Sequence, residues 1–307
     1  MESKILIIMS TYNGQKYIRE QLDSLYAQKD VDIHILVRDD GSKDDTVSIL
    51  QEYRQNYGHM TIHAEENVGA AMSFHTLISY ASKEVDKYDY FAYADQDDVW
   101  MSDKLVSAVK MLNRSEAKTK LYFCLPELVD AELKILPSKR PCVANNLKGN
   151  VVTSHILGCT QVFNGHLLRL VAMYRPNAQE RVPLHDGWTA LVAYAFDADV
   201  IFDTNKYIKY RQHGNNVVGA NKSFIEVQEV RFARYFNGQS LKSGKCQLVL
   251  EVYSDLLGAR NKEILTNCVS YKKSFKTKMK MLFDSGYFQY DFTTNVGVFL
   301  MILFNKF

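Results

Sequence analysis

Three carboxylates fall within four residues in Tyr93-Ala94-Asp95-Gln96-Asp97-Asp98-Val99-Trp100, directly after the apolar run Tyr90–Ala94. Clustered carboxylates repel one another and raise each other's pKa until a cation neutralises them. A hard divalent ion carrying a diphosphate is a suitable cation. A solvated acidic turn has the same composition, so the acids alone decide nothing. Their position says more. Tyr90–Ala94 reads as a strand buried on both faces, and ligands of open α/β sheets sit at the carboxyl ends of the strands.

The elements around this run alternate. Lys4–Met9 reads as a first strand, ending at Ser10-Thr11-Tyr12-Asn13-Gly14, and a helix with Ile18, Leu22 and Leu25 on one face follows. The second strand, Ile33–Val37, ends at Arg38-Asp39-Asp40-Gly41-Ser42, and the next helix is expected to carry Asp44 and Asp45 in its first turn. A short third strand near Met60–His63 leads to Glu66-Asn67-Val68-Gly69, then to a helix through Phe74, Leu77 and Ile78. Strands separated by helical patterns imply a parallel sheet with right-handed crossovers. Polar side chains at Thr11–Asn13, Asp39–Ser42 and Asp95–Asp98 would then share one sheet edge, as a nucleotide pocket requires. Neither GxGxxG nor GxxxxGK[ST] occurs, which excludes the common dinucleotide fingerprint and the phosphate loop. Phosphate would instead be held by a metal.

At 307 residues, 47% hydrophobic and 23% charged, the chain has an ordinary globular composition of one or two domains. The net charge of +2 hides an asymmetry. Residues 224–307 hold 12 Lys/Arg against 7 Asp/Glu, and 1–223 hold 25 against 28. No nucleic-acid partner is expected. The five cysteines, Cys124, Cys142, Cys159, Cys246 and Cys268, are odd in number and contain no CxxC, which suits reduced thiols in the cytoplasm. No charged-then-apolar leader is read before the first strand, so secretion is not expected.

STYNG, DDGSKDDT, ENVG and DQDD after four successive strands resemble the family 2 inverting glycosyltransferases of GT-A fold. Gly158-Cys159-Thr160-Gln161-Val162-Phe163-Asn164, His185-Asp186-Gly187-Trp188 and Tyr210-Arg211-Gln212-His213-Gly214-Asn215-Asn216 extend the likeness. YADQDDVW, HDGW and YRQHGNNVVG together resemble the bacterial rhamnosyltransferases. The resemblance covers about residues 4 to 220. It implies an α/β GT-A fold, a Rossmann-like, mixed, mainly parallel sheet flanked by helices, over 1–222, with a helical C-terminal extension over 223–307.

The resemblance also implies roles. Thr11, Tyr12 and Asp39 would hold the nucleotide base. A carboxylate can accept from the imide N–H of uracil or thymine, and a tyrosine ring can stack on either. Asn67 would face the nucleoside, and Asp95 the ribose or metal side. Asp97 and His213 would ligate Mn2+ or Mg2+, and imidazole is a common metal ligand. Asp98 would orient the acceptor or support Asp97, with Cys159 and Trp188 also on the acceptor side or behind the ligands. Asp186 would be the general base, although an Asp before the apolar stretch Trp188–Phe196 is also what a helix N-cap needs. The implied reaction moves a sugar, with L-rhamnose from dTDP-β-L-rhamnose favoured, to a saccharide or lipid-linked saccharide in cell-surface or cell-wall polysaccharide synthesis. Two other readings stay open: a catalytically inactive sugar-nucleotide-binding partner subunit, and a metal-dependent nucleotidyltransferase.

The tail reads as helical over 224–264. Tyr271–Lys280 then interleaves five lysines with apolar residues, and Val296–Phe304 is wholly apolar. The last run is far below the ~20 residues that span a bilayer. Packing on the catalytic domain and peripheral contact at the inner face of the cell membrane are equal expectations for it.

Overall fold

The computed structural model describes residues 2–138, 140–154, 156–177, 182–212 and 241–307. By contact, the chain groups into two units. The first comprises 1–139, 156–189 and 197–213, and the second comprises 140–155, 190–196 and 214–307. The second thus takes in two short segments from before residue 223.

The first unit opens with β1 (Ser3–Thr11), α1 (Ile18–Tyr26), β2 (Val31–Asp39), α2 (Thr46–Tyr57), β3 (Met60–Ala64), α3 (Ala70–Ser82) and β4 (Tyr90–Ala94). There follow β5 (Val99–Trp100), α4 (Lys104–Leu112), β6 (Lys120–Val129), α5 (Leu147–Val152, in the second unit), β7 (Gln161–Asn164) and α6 (Gly165–Val171). Next come α7 (His185–Ala195), whose residues from Ala190 on group with the second unit, and β8 (Asp199–Arg211). One eight-stranded sheet runs in the order β3-β2-β1-β4-β7-β6-β8-β5. The β1/β2, β2/β3, β1/β4 and β6/β8 pairs are parallel. The pairs of β7 with β4 and β6, and of β5 with β8, are antiparallel.

Every residue of β4 is buried, as its unbroken apolar run demands of a strand covered on both faces. Ile5, Ile7, Ile35, Val37, Ala92 and Val162 pack on one face against Ile18, Leu22, Leu50 and Leu105 of the helices. Register then fixes the functional edge. Thr11 pairs with Asp39 and Met9 with Ala94, so three strands end side by side. The third strand lies where the sequence pattern puts it. One boundary differs. The helix after β2 starts at Thr46, so Asp44 and Asp45 precede it rather than fill its first turn. Strand β8, which ends at the Tyr210-Arg211 of the last sequence motif, begins as early as Asp199, because β6 pairs with it along most of its length.

The second unit carries α5 and four further helices, α8 (Leu241–Tyr253), α9 (Ala259–Ser270), α10 (Phe275–Leu282) and α11 (Phe292–Leu303). Its centre is aromatic. Phe307 is fully buried with edge-on contacts to Tyr271 and Tyr287, and its backbone N–H donates to the Tyr271 hydroxyl at 2.9 Å. Residues 224–240 of the expected helical stretch lie outside the described residues. Among the described residues, no helix is long and apolar enough to cross a membrane.

Candidate active site

Three loops at the carboxyl ends of β1, β2 and β3 are stitched into one wall. Asn13, at φ 47°, receives Lys43 N–H on its side-chain oxygen at 2.8 Å, and its own N–H donates to Ser42 Oγ at 2.9 Å. Gly14 N–H donates to Thr46 Oγ1 at 2.8 Å and Gln15 N–H to Asp44 at 3.1 Å. Asp40 receives the N–H groups of Val68 and Gly69 at 2.8 and 2.9 Å. Buried Arg38 binds Asp40, Glu65 and the Glu66 carbonyl from below. Gly41 sits at φ 78°, in the left-handed region that favours glycine.

Within that wall Thr11 and Asp39 are buried and bonded to each other. One Asp39 oxygen accepts from Thr11 Oγ1 at 2.8 Å and from Ser42 Oγ at 2.5 Å, while the other accepts the Ser42 N–H at 2.8 Å. The second oxygen has acceptor capacity left after the Ser42 N–H. Tyr12 is 47% exposed, leaving its ring open to stacking. Asn67 is exposed and its amide donates to the Asp40 carbonyl at 2.9 Å.

The acidic loop after β4 faces the same edge. Gln96 clamps the Tyr12 peptide at both ends, accepting its N–H at 2.9 Å and donating to its carbonyl at 3.0 Å. A Cβ on Gly14 would come within 2.3 Å of the Gln96 side-chain oxygen, so the glycine of STYNG and the glutamine of DQDD are one fitted pair. Asp98 is fully buried and accepts Arg211 N–H at 3.1 Å. Its other oxygen has no nitrogen or oxygen donor in range among the described residues, and it lies beside the Cys159 thiol. Ligating atoms of Asp95, Asp98 and Cys159 all lie within 4.8 Å of one another, whereas half-buried Asp97 is not in that set.

Burial first, then the charges of Asp97 and Asp186, hold the Asp95 carboxyl well above the usual carboxylate range. Burial, then the charges of Asp95 and Asp97, do so for Asp98. Burial, Asp98 and Asp95 keep the Cys159 thiol protonated, a poor ligand for a hard ion. Crowded carboxylates that resist ionisation at a sheet edge fit a divalent cation with oxygen ligands. His213, expected beside Asp97, lies outside the described residues.

Asp186 lies in the first turn of α7, not at its N-cap, since Trp188 N–H already bonds to the Leu184 carbonyl at 3.0 Å. A carboxylate in a first turn is favoured by the helix dipole. Its oxygen receives Gly187 N–H at 2.5 Å, and its half-buried carboxylate is close enough to raise Asp95. Gln161 donates to the Asp186 carbonyl at 3.1 Å. Gly158 lets the turn close, because a Cβ there would meet His185 Nε2 at 2.5 Å. Trp188 is fully buried against Tyr174.

Four residues of this site are given no role by the sequence patterns: Lys104, and Gln96, Gln161 and Arg211, which stand in quoted motifs only as letters. Arg211 ends β8. It stacks over Tyr17, donates to the Asp97 carbonyl at 2.9 Å and pairs with Glu20 at 2.6 Å. Lys104 is fully buried, 3.2 Å from the Trp100 ring centroid, and burial pulls its ammonium down to about 8 against the nearby Asp98 charge.

The glycosyl transferase family 2 model matches residues 6–164, more than half of the chain. The dTDP-rhamnosyl transferase RfbG of Shigella flexneri is 33% identical over 228 residues, spanning 70% of this chain and 75% of that protein. An uncharacterized glycosyltransferase of Rickettsia typhi, RT0329, is 25% identical over 237 residues, spanning 75% of this chain and 71% of its own. Among solved structures, S. aureus TarS 1-349 in complex with UDP-GlcNAc aligns with a TM-score of 0.58 at 16% identity, over 99% of this chain and 93% of that one. The mannosyltransferase PcManGT from Pyrobaculum calidifontis, in complex with GDP-Man and Mn2+, aligns with a TM-score of 0.54 at 18% identity, over 100% and 89%. At those identities the structures speak for the fold, which is GT-A. The strand-end loops that form the wall fall inside the matched span, and the chain is a glycosyltransferase of family 2.

Proposed function

We propose that this glycosyltransferase moves L-rhamnose from dTDP-β-L-rhamnose to a saccharide or lipid-linked saccharide acceptor, inverting the anomeric centre, in cell-surface polysaccharide synthesis. The observation that carries the donor is the 33% identity, over 70% of the chain, to a dTDP-rhamnosyl transferase. The remaining acceptor capacity of Asp39 and the exposed Tyr12 ring support a pyrimidine with an imide N–H. Both thymine and uracil have one.

Breaking the sugar C1–O bond builds positive charge on the ring and negative charge on the diphosphate. Asp97, beside Asp95, and His213 would hold Mn2+ or Mg2+, which when bound offsets the charge on the leaving group. Asp186 accepts the proton of the attacking acceptor hydroxyl. Its place beside Asp95 supports that role, because a base must lie near the donor to serve a hydroxyl attacking C1. One displacement inverts the centre, and a β-linked donor yields an α-rhamnoside. Asp98 and Cys159 stand behind these groups and keep the acidic loop in shape. We assign the reaction to the cytoplasm, where dTDP-sugars and the five free thiols are both at home.

The test is turnover of a panel of dTDP-, UDP- and GDP-sugars with manganese and a mixed saccharide acceptor. Release of dTDP with rhamnosyl product, lost on chelation, is expected. Preferential turnover of another nucleotide sugar would overturn the donor. Pyrophosphate release, or binding without turnover, would overturn the proposed reaction.

A further inference from the structure

The last helix has two apolar faces and only one of them is covered. On α11, Val298, Met301 and Ile302 are buried. Phe292 is 84% exposed, Phe304 just after the helix is 64% exposed, and Val296, Phe299, Leu300 and Leu303 are each about 40% exposed. At 100° per residue these six positions fall within one arc of about 140°, and the three buried ones point the opposite way. This is a continuous outward stripe, not scattered surface hydrophobes.

The surroundings of the stripe are basic. Residues 271–307 carry six lysines against two aspartates. Both aspartates are occupied: Asp284 pairs with Lys148 at 2.5 Å, and Asp291 caps α11 by accepting Thr294 N–H at 3.0 Å. Lys280 is offset by Glu263 at 2.6 Å. Lys272, Lys273 and Lys276 are exposed, next to a Phe275 ring that is 78% exposed. Helix α10 packs on α11, and Lys278 reaches the Leu303 carbonyl at 3.4 Å, which joins the basic segment to the end of the stripe.

We propose that this face of the second unit docks on an anionic phospholipid surface, with α11 lying in the plane of the interface. A helix of 12 residues is about 18 Å long and cannot span a bilayer. An apolar stripe flanked by lysines is what an interfacial helix needs. Charge decides against a second copy of the chain as the occupant. A two-fold pairing would bring the same basic segments together, whereas a surface of anionic headgroups neutralises them. Docking would hold the enzyme where a lipid-linked or membrane-bound acceptor is presented, and it stands whether or not the donor is dTDP-rhamnose.

The experiment is cosedimentation of the full chain with vesicles of phosphatidylcholine alone and of phosphatidylcholine with phosphatidylglycerol, at roughly physiological ionic strength. Two variants are compared, Phe292→Ser with Phe299→Ser, and Lys272→Gln with Lys273→Gln and Lys276→Gln, each verified by unchanged circular dichroism and Tm. Wild type is expected to bind the anionic vesicles and release them at high salt. Each lysine removed should lower partitioning up to about fivefold, and the phenylalanine variant should lose binding by at least ~10-fold. Failure of wild type to sediment, or equal binding by the variants, would overturn the proposal. So would a solution dimer that the phenylalanine variant dissolves, since the face would then belong to a second copy.

Discussion

At the scale of single residues, the proposed base offers the most direct measurement. Asp186→Asn keeps the shape and the acceptor for Gly187 N–H but cannot take a proton. Transfer should fall by at least ~10²-fold with dTDP affinity unchanged, by initial rates and calorimetry. Wild-type turnover would leave Asp186 as helix-end electrostatics only. The fitted pair of Gly14 and Gln96 allows a second prediction. Gly14→Ala places a methyl against the Gln96 amide and breaks its hold on the Tyr12 peptide. Donor affinity should drop several-fold. Because the clashing group is a side chain, Gln96→Ala should already cost that affinity and Gly14→Ala should add little to it. The two effects are thus non-additive, as expected for residues sharing one contact. Simple addition in the double variant would refute the clamp.

At the scale of elements, β8 reaches the site because Arg211 pins its end. One side chain bonds the Asp97 and Ala131 carbonyls and Glu20, and the Arg211 peptide N–H bonds Asp98. Removing these donors leaves the Asp97 and Ala131 carbonyls unsatisfied, while half-exposed Glu20 can turn to water, so the loss is about 1–3 kcal/mol. Arg211→Met should lower the urea midpoint accordingly without changing the slope, and it should weaken donor binding besides. A variant as stable as wild type would mean that the strand pairing with β6 holds β8 unaided.

At the scale of the whole molecule, pH links stability to the buried imidazoles. Burial pulls His75 down to about 4 and His185 down to about 3. In the unfolded chain both return to about 6.5. Between these values the unfolded state binds more protons, so stability is full above about pH 6.5 and falls as the pH drops toward 4. Each histidine contributes a slope of up to ~1.4 kcal/mol per pH unit. The raised carboxyls of Asp95 and Asp98 act with the opposite sign, so only a comparison isolates the histidines. His185→Phe keeps the stack on Phe74, 3.6 Å between ring centres. Its unfolding free energy should depend less on pH than wild type between 6.5 and 4. Parallel curves would show that His185 charges inside the fold.

The sequence by itself determined what local periodicity and motif spacing can encode. The burial of Tyr90–Ala94, the parallel alternation that begins the sheet, the polar strand ends at Thr11, Asp39 and Asp95, and the family all follow from patterns within tens of residues. Tertiary structure decided whatever joins distant positions. The reversal of β7 between β4 and β6, the 84-residue reach from Gln96 to Tyr12 and the 113-residue reach from Arg211 to Asp98 leave no period in a linear chain. The fate of the terminal apolar run was also decided by tertiary packing. Composition gives its hydrophobicity, but only packing shows that Met301 and Ile302 face inward while Phe292 and Phe304 face water. Secondary structure is written in near neighbours. A site is written in backbone register and in loops whose closure brings remote side chains within hydrogen-bond range.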